Sequence, residues 1–246
     1  MKKISLLLIC LIILQLHTFS QQNTDSVSVD KTQGQVPWVV PAVLAGGGLA
    51  FFALPDQKHQ IQEYLQPKIG ASDFGYENIT AVAPVFICYG ASWLGADCKN
   101  DFYNRTLILI RSEILAIGTT YILKYATQVN RPNNENKLSF PSNHTAQAFL
   151  GAAFLDRELR DQSVWYSISA YSLATATGLM RIGRNKHWLP DVLMGAALGI
   201  SAVNISYAVH KQRNTPKFVQ KYINTFSIMP LVDSKSASVA MVINLR

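Results

Sequence analysis

The sequence predicts an all-α protein: a six-helix up-down bundle with its functional residues gathered at one end, followed by a short C-terminal β-hairpin. Three observations predict it. Six apolar segments of helical length occupy 36–54, 79–97, 106–125, 143–156, 163–181 and 190–209. The breaks between them fall on turn-forming residues. The chemistry-bearing residues collect at segment ends, which an up-down bundle brings together. A chain of 246 residues with 49% hydrophobic content suffices for one sizeable core or one small polytopic bundle.

The N-terminus reads as an export signal over 1–20. Lys2 and Lys3 precede an apolar run from Ile4 to Leu16, and Thr18-Phe19-Ser20 places small residues where cleavage is expected, with an uncleaved anchor as the alternative. Cys10 lies inside the apolar run and is no lipidation site. Residues 21–35, rich in Gln, Asn, Ser and Asp, read as a flexible mature N-terminus. The helical domain is then expected over 36–212. Its first helix stops at Pro55-Asp56, and the second follows Pro67 through Gly75. Lys99-Asn-Asp101 precedes the third, and Pro132-Asn-Asn-Glu135 precedes the fourth. Ser142 is placed as N-cap of the fourth helix, and Pro190 suits the first turn of the sixth. Gly195-Ala-Ala-Leu-Gly199 makes a small-residue face for close helix contact. In the tail, 213–246, alternation at Val239, Met241, Ile243 and Leu245 suggests a hairpin of 225–232 with 237–245, with a disordered tail as an equal alternative because an isolated hairpin is marginal.

Cys88 and Cys98 are read as free or packed thiols. One unbroken helix over 79–97 would hold them roughly 15 Å apart, beyond disulfide reach. Membrane spanning is finely balanced. The segments 36–54 and 190–209 approach the ~20 apolar residues of a span. The third carries Arg111 and Glu113 near its middle, and an unpaired charge there costs ~2.5–3.5 kcal/mol on insertion scales. Six spans would also set the loop with Lys124 and Arg131 opposite the basic tail at His210–Arg213, against the positive-inside rule. The expectation is an exported, periplasmic helical domain associated with the membrane, with an integral inner-membrane bundle as the alternative.

The net charge of +7 suits an anionic partner. Lys and Arg are scattered and not interleaved with aromatics, which argues against nucleic acid. Three strings carry the chemistry: Lys124-Tyr-Ala-Thr-Gln-Val-Asn-Arg131-Pro132, Pro141-Ser-Asn-His144 and Arg181-Ile-Gly-Arg-Asn-Lys-His187-Trp-Leu-Pro-Asp191. They supply fixed cations, two histidines and a carboxylate able to orient one of them, the parts of a metal-free phosphoryl-transfer site. Free N–H groups at the helix start near Ser142 form a natural anion site.

In order and spacing, these strings resemble the three-part signature of the type-2 phosphatidic acid phosphatase family. Its superfamily includes class A acid phosphatases, glucose-6-phosphatases and vanadium-dependent haloperoxidases. The resemblance covers roughly 79–209, with a motif core at 106–209. Two positions depart from the pattern: Asn143 stands where the family usually has glycine, and Met180 where serine precedes the arginine. Asn tolerates unusual backbone angles, so the turn can survive, while loss of the serine removes one hydrogen bond near the phosphate.

The resemblance implies that His187 attacks phosphorus, Asp191 fixes its tautomer, and His144 serves as acid and then base. Lys124, Arg131 and Arg181 would neutralise the phosphate oxygens, helped by Ser142 and the N–H groups around Asn143. It implies neither metal nor cofactor. The expected substrate is a lipid phosphate, such as phosphatidic acid, an isoprenyl pyrophosphate or a lipid A phosphate, in the cell envelope. A soluble phosphoester, as for class A acid phosphatases, is the alternative, and a catalytically silent envelope binding protein a third reading. Outside this set, His59 and His210 read as surface groups, Arg184 and Lys186 as solvated or headgroup contacts, and Arg105, Arg111 and Glu113 as a structural ion pair with a neighbour.

Overall fold

The computed structural model describes residues 37–69, 75–214, 216, 226–233 and 236–243, the last two segments as backbone. Among them are seven helices: α1 Val39–Ala53, α2 Pro55–Ile69, α3 Tyr76–Trp93, α4 Phe102–Thr127, α5 Asn143–Leu159, α6 Val164–Gly183 and α7 Leu189–Ala208. Beyond the helices, β1 Phe226–Asp233 pairs antiparallel with β2 Ser236–Ile243. The expected signal peptide and the flexible segment 21–35 lie outside the described residues.

The helical part is all-α, but the expected count of six is corrected to seven. The additional helix is α2, where Asp56, Gln57, Lys58, Gln60, Gln62 and Glu63 interrupt any apolar stretch. Hydropathy passes over it; proline, which fits a first helical position, starts it. Only Leu54 separates α2 from α1, and the two are bent by 105°. Gln62 then ties α2 to the end of α6, donating from Nε2 to Ile182 O at 3.1 Å and to Asn185 Oδ1 at 2.8 Å.

The centre is α5, which packs against α3, α4, α6 and α7. Its Leu150, Phe154, Leu155 and Leu159 are fully buried, and Ala148, Ala152 and Ala153 between them let the neighbours come close. The closest approach is to α7. A Cβ at Gly195 would stand 2.6 Å from Ser142 O, and one at Gly199 2.2 Å from Ala146 O. Only glycine lets α7 lie on the α5 backbone there, so the small-residue face is a packing surface.

Helix α5 runs on to Leu159 through charges that had suggested a stop at 156. Asp156, Arg157 and Glu158 are buried at the bundle end opposite the three strings, the two carboxylates hydrogen-bonded and Arg157 Nε and Nη2 without a hydrogen-bond partner among the described residues. Asp156 accepts from Arg160 and Ser167, Glu158 from the Asn100 N–H at 2.9 Å and from Tyr207, and Arg157 lies over the Tyr207 ring. A paired, hydrogen-bonded charge is tolerated inside a protein where a lone one is not.

On α4, the mid-helix charges are also answered, though not by each other. Arg111 meets His210 Nδ1 at 3.2 Å, Glu113 accepts from Gln147 at 2.7 Å, and Arg105 bonds Ser92 and lies over Tyr89. The expected ion pair among them is replaced by these separate partners, and His210 is a bonded group. The outer side of α4 shows Ile110, Ile114, Ile117, Tyr121, Ile122 and Tyr125 exposed.

Cys88 and Cys98 are both free thiols. The spacing expected from a helix to 97 is corrected, because α3 ends at Trp93 and the chain turns back through Gly95 at φ 95°. Cys98 thereby packs against the core beside Cys88, with the two side chains in contact.

Candidate active site

The three strings meet at one end of the bundle because of helix order: α4 ends near Lys124, α5 starts at Asn143, α6 ends at Gly183 and α7 starts at Leu189. His187 lies in the short connection between α6 and α7, with its backbone N–H held by Arg181 O at 3.2 Å. Its side chain is 1% exposed. Nδ1 faces Asp191 Oδ2 at 3.4 Å, a long contact of the kind that tightens when a site is occupied.

Asp191 is itself fixed. Its Oδ2 accepts from the Trp188 N–H at 2.9 Å at the start of α7, and from Ser139 Oγ at 2.5 Å. Ser142 caps α5, its Oγ accepting from the Thr145 N–H at 3.4 Å and from the Thr145 hydroxyl at 2.9 Å, and its N–H reaches Asp191 O at 3.0 Å. That bond joins the second string to the third.

Lys124 is buried and donates to three carbonyls, Leu138 at 2.7 Å, Ser139 at 3.3 Å and Pro141 at 2.6 Å. It clasps the loop that leads into α5. An ammonium has three donors, so Lys124 bears on a bound anion by charge and by shaping this loop. Arg131, Arg181 and Asp191 lie within its electrostatic reach. Arg131 faces Glu135 at 3.6 Å, and Glu135 also takes Lys186 at 2.6 Å. Arg181, 7% exposed, donates from Nη1 to Glu77 at 2.9 Å. The Nε atoms of Arg131 and Arg181 are buried with no hydrogen-bond partner in the protein, as is Asn143 Oδ1.

His144 stands at the start of α5, with Nε2 at 2.8 Å from Asn78 Oδ1. Burial, and after it the Arg181 charge, lowers its pKa to about 4 against the opposing pull of Glu77. Burial likewise lowers His187 to about 4, opposed by Asp191. Burial therefore favours the neutral ring at both positions, the state a nucleophile and a base require, while an acid role for His144 calls for its imidazolium, which a bound phosphate anion favours.

All eight residues singled out from the sequence thus meet at this end. Sequence reasoning missed Ser139, Glu77 and Asn78. Ser139 lies only two residues ahead of Pro141, yet nothing in its spacing marks it. Glu77 and Asn78 sit on α3, outside every string. It also missed that α2 covers the third string: Lys58 Nζ lies 4.3 Å from the Trp188 ring centre, and the ring of His59, which is exposed as expected, lies 4.6 Å from it. Arg184 bonds Glu77, and its reading as solvated or headgroup-facing is corrected accordingly.

Residues 105–215 match the model of the PAP2 superfamily. The lipid A 1-phosphatase of Porphyromonas gingivalis is 43% identical over 135 residues, 53% of this chain and 30% of that protein. The chain therefore spans less than a third of that relative's length. Two solved structures are similar at 19% identity. Aquifex aeolicus LpxE has a TM-score of 0.46 and covers 61% of this chain and 93% of its own. The first transmembrane PAP2-type phosphatidylglycerolphosphate phosphatase from Bacillus subtilis has a TM-score of 0.47, covering 69% and 94%.

Proposed function

We propose, from the match of residues 105–215 to the PAP2 superfamily model, that this chain belongs to that superfamily and is a metal-independent phosphatase of lipid phosphate monoesters or pyrophosphates, working in the cell envelope. One observation carries the reading. A buried histidine faces a fixed carboxylate, while the Nε atoms of Arg131 and Arg181, at the same end of the bundle, are buried with no hydrogen-bond partner among the described residues. Unpaired cationic donors in a buried site are costly unless an anion completes them. The name of the Porphyromonas gingivalis relative supports a phosphate carried by a glycolipid of the lipid A kind.

The chemistry follows from the geometry. With Nδ1 turned to Asp191, His187 presents Nε2 to phosphorus. An N–P bond forms as the bond to the leaving oxygen breaks, and His144, held as the imidazolium by the bound phosphate's charge, gives that oxygen its proton. In the second half His144 takes a proton from water, the new O–P bond forms, and the N–P bond breaks to release phosphate. Arg131 and Arg181 bind the nonbridging oxygens, and Lys124 adds charge from behind the loop.

Membrane association supports a lipid substrate. Phe102–Thr127 and Leu189–Ala208 are long and apolar enough to cross a bilayer, and the isoleucines and tyrosines on the outer side of α4 are exposed among the described residues.

The test is phosphate release by purified protein in detergent, without added metal and with EDTA. Phosphatidic acid, an isoprenyl pyrophosphate, lipid A and a soluble ester are compared, alongside His187→Ala. Release that survives EDTA and falls by at least about 10³-fold in the variant is expected. Release that needs metal, or persists in His187→Ala, would overturn the mechanism. A preference for the soluble ester would overturn the lipid substrate.

A further inference from the structure

Glu77 and Asn78 lie ahead of the segment that matches the superfamily, yet both reach residues at the centre of the proposed site. Glu77 is 2% exposed and its Oε1 accepts from Nη1 of both Arg181 and Arg184. Asn78 is exposed, and its Oδ1 stands 2.8 Å from His144 Nε2. One turn on, Thr80 meets the Thr177 hydroxyl at 2.7 Å, so α3 is pinned against α6 at this end.

We propose that the first turn of α3 is a fourth working part of the site, in which Asn78 holds the His144 imidazole and Glu77 braces the Arg181 guanidinium. Both are positioning residues. The proposal rests on the reading of His144 as acid and base.

An amide oxygen only accepts, so the contact with Asn78 requires the proton on His144 Nε2. The anionic phosphate favours the imidazolium, so in the complex the ring carries a second proton on Nδ1, which passes to the leaving oxygen in the first half and is replaced from water in the second. Nε2–H stays on Asn78 throughout. Being uncharged, Asn78 fixes the ring without favouring the imidazolium, whereas a carboxylate there would do both. Glu77 acts on charge as well as on geometry. It offsets the repulsion between Arg181 and Arg184 and occupies one edge of Arg181, leaving the buried Nε free of protein partners.

Asn78 is exposed, so its variants are expected to fold. The charged groups facing His144 are Arg181 of α6, Glu77 of α3, Arg131 of the loop after α4 and Lys124 of α4, and all remain in an Asn78 variant. Asn78→Ala is expected to lower kcat about tenfold with KM changed less than about twofold, since the acid–base group is present but loosely held. Asn78→Asp is expected to raise the His144 pKa by about one unit, read by NMR titration of the imidazole in micelles, and to move the corresponding limb of the kcat profile upward in pH. Glu77→Gln is expected to raise KM several-fold with a smaller change in kcat.

Wild-type kcat in Asn78→Ala, or a His144 titration unmoved in Asn78→Asp, would overturn the role of Asn78. An unchanged KM in Glu77→Gln would overturn that of Glu77. The NMR arm does not depend on turnover. Should the wild-type protein release no phosphate, the functional reading fails, and the titration alone still decides whether Asn78 sets the imidazole.

Discussion

Asp191 is held by Ser139 and by the Trp188 N–H, and its Oδ2 also faces His187. That order matters at the residue scale, because a carboxylate fixed by two other donors can orient a ring that has nowhere else to turn. Burial of His187 also makes stability depend on pH. The unfolded histidine takes up a proton below its ordinary 6.5, the folded one only below about 4. The neutral ring therefore contributes in full above 6.5, and the contribution is lost as pH falls from 6.5 to 4. A shift of this size corresponds to about 3 kcal/mol. Unfolding midpoints measured in micelles from pH 7 to pH 4 are expected to fall in the wild type more steeply than in His187→Asn. Parallel slopes would show that His187 is not neutral in the fold.

Among the elements, α5 and α7 carry the tightest packing, and glycine makes it possible. Alanine is the better helix former by about 1 kcal/mol, so Gly→Ala is stabilising where space allows. At Gly118 on α4 nothing lies within 4 Å of a new Cβ, and Gly118→Ala is expected to raise stability by up to about 1 kcal/mol. At Gly199 the new Cβ meets backbone at 2.2 Å, which no side-chain rotation relieves. There the clash outweighs the propensity, and Gly199→Ala is expected to cost about 3 kcal/mol net, read by thermal unfolding in micelles. Equal shifts for the two variants would mean that α7 does not lie on α5 as described. Helix α2 shows the opposite balance. It has little apolar content, and its position rests on the bend at Leu54, on Gln62, and on Lys58 and His59 against Trp188.

For the whole molecule, the question is what covers α4. Its inward side is answered by His210 and Gln147, while Ile110, Ile114, Ile117, Tyr121, Ile122 and Tyr125 face outward. If a bilayer covers them, the protein stays with membranes through alkaline carbonate washing. An arginine in that row costs about 2.5–3.5 kcal/mol on insertion scales. Ile114→Arg is therefore expected to release a measurable share of the protein from the membrane fraction. A wild-type protein already soluble in carbonate would instead make the face a contact with protein.

By itself the sequence determined that the described part is largely helical, where six of its seven described helices lie, and which eight polar residues stand at one end of them. The reason is local: apolar runs make helices, and the strings stand at helix ends, where the chain must turn. Only the tertiary structure decided the rest. It added α2, whose polar surface leaves no apolar run to read, and brought Cys98 back beside Cys88 by a turn at Gly95. It gave Lys124 to three carbonyls and Asp191 to Ser139. It set Glu77 and Asn78 against Arg181 and His144 across more than sixty residues of chain. Such pairings depend on which helix faces meet, and that is a property of the whole packed core, absent from any one stretch of sequence.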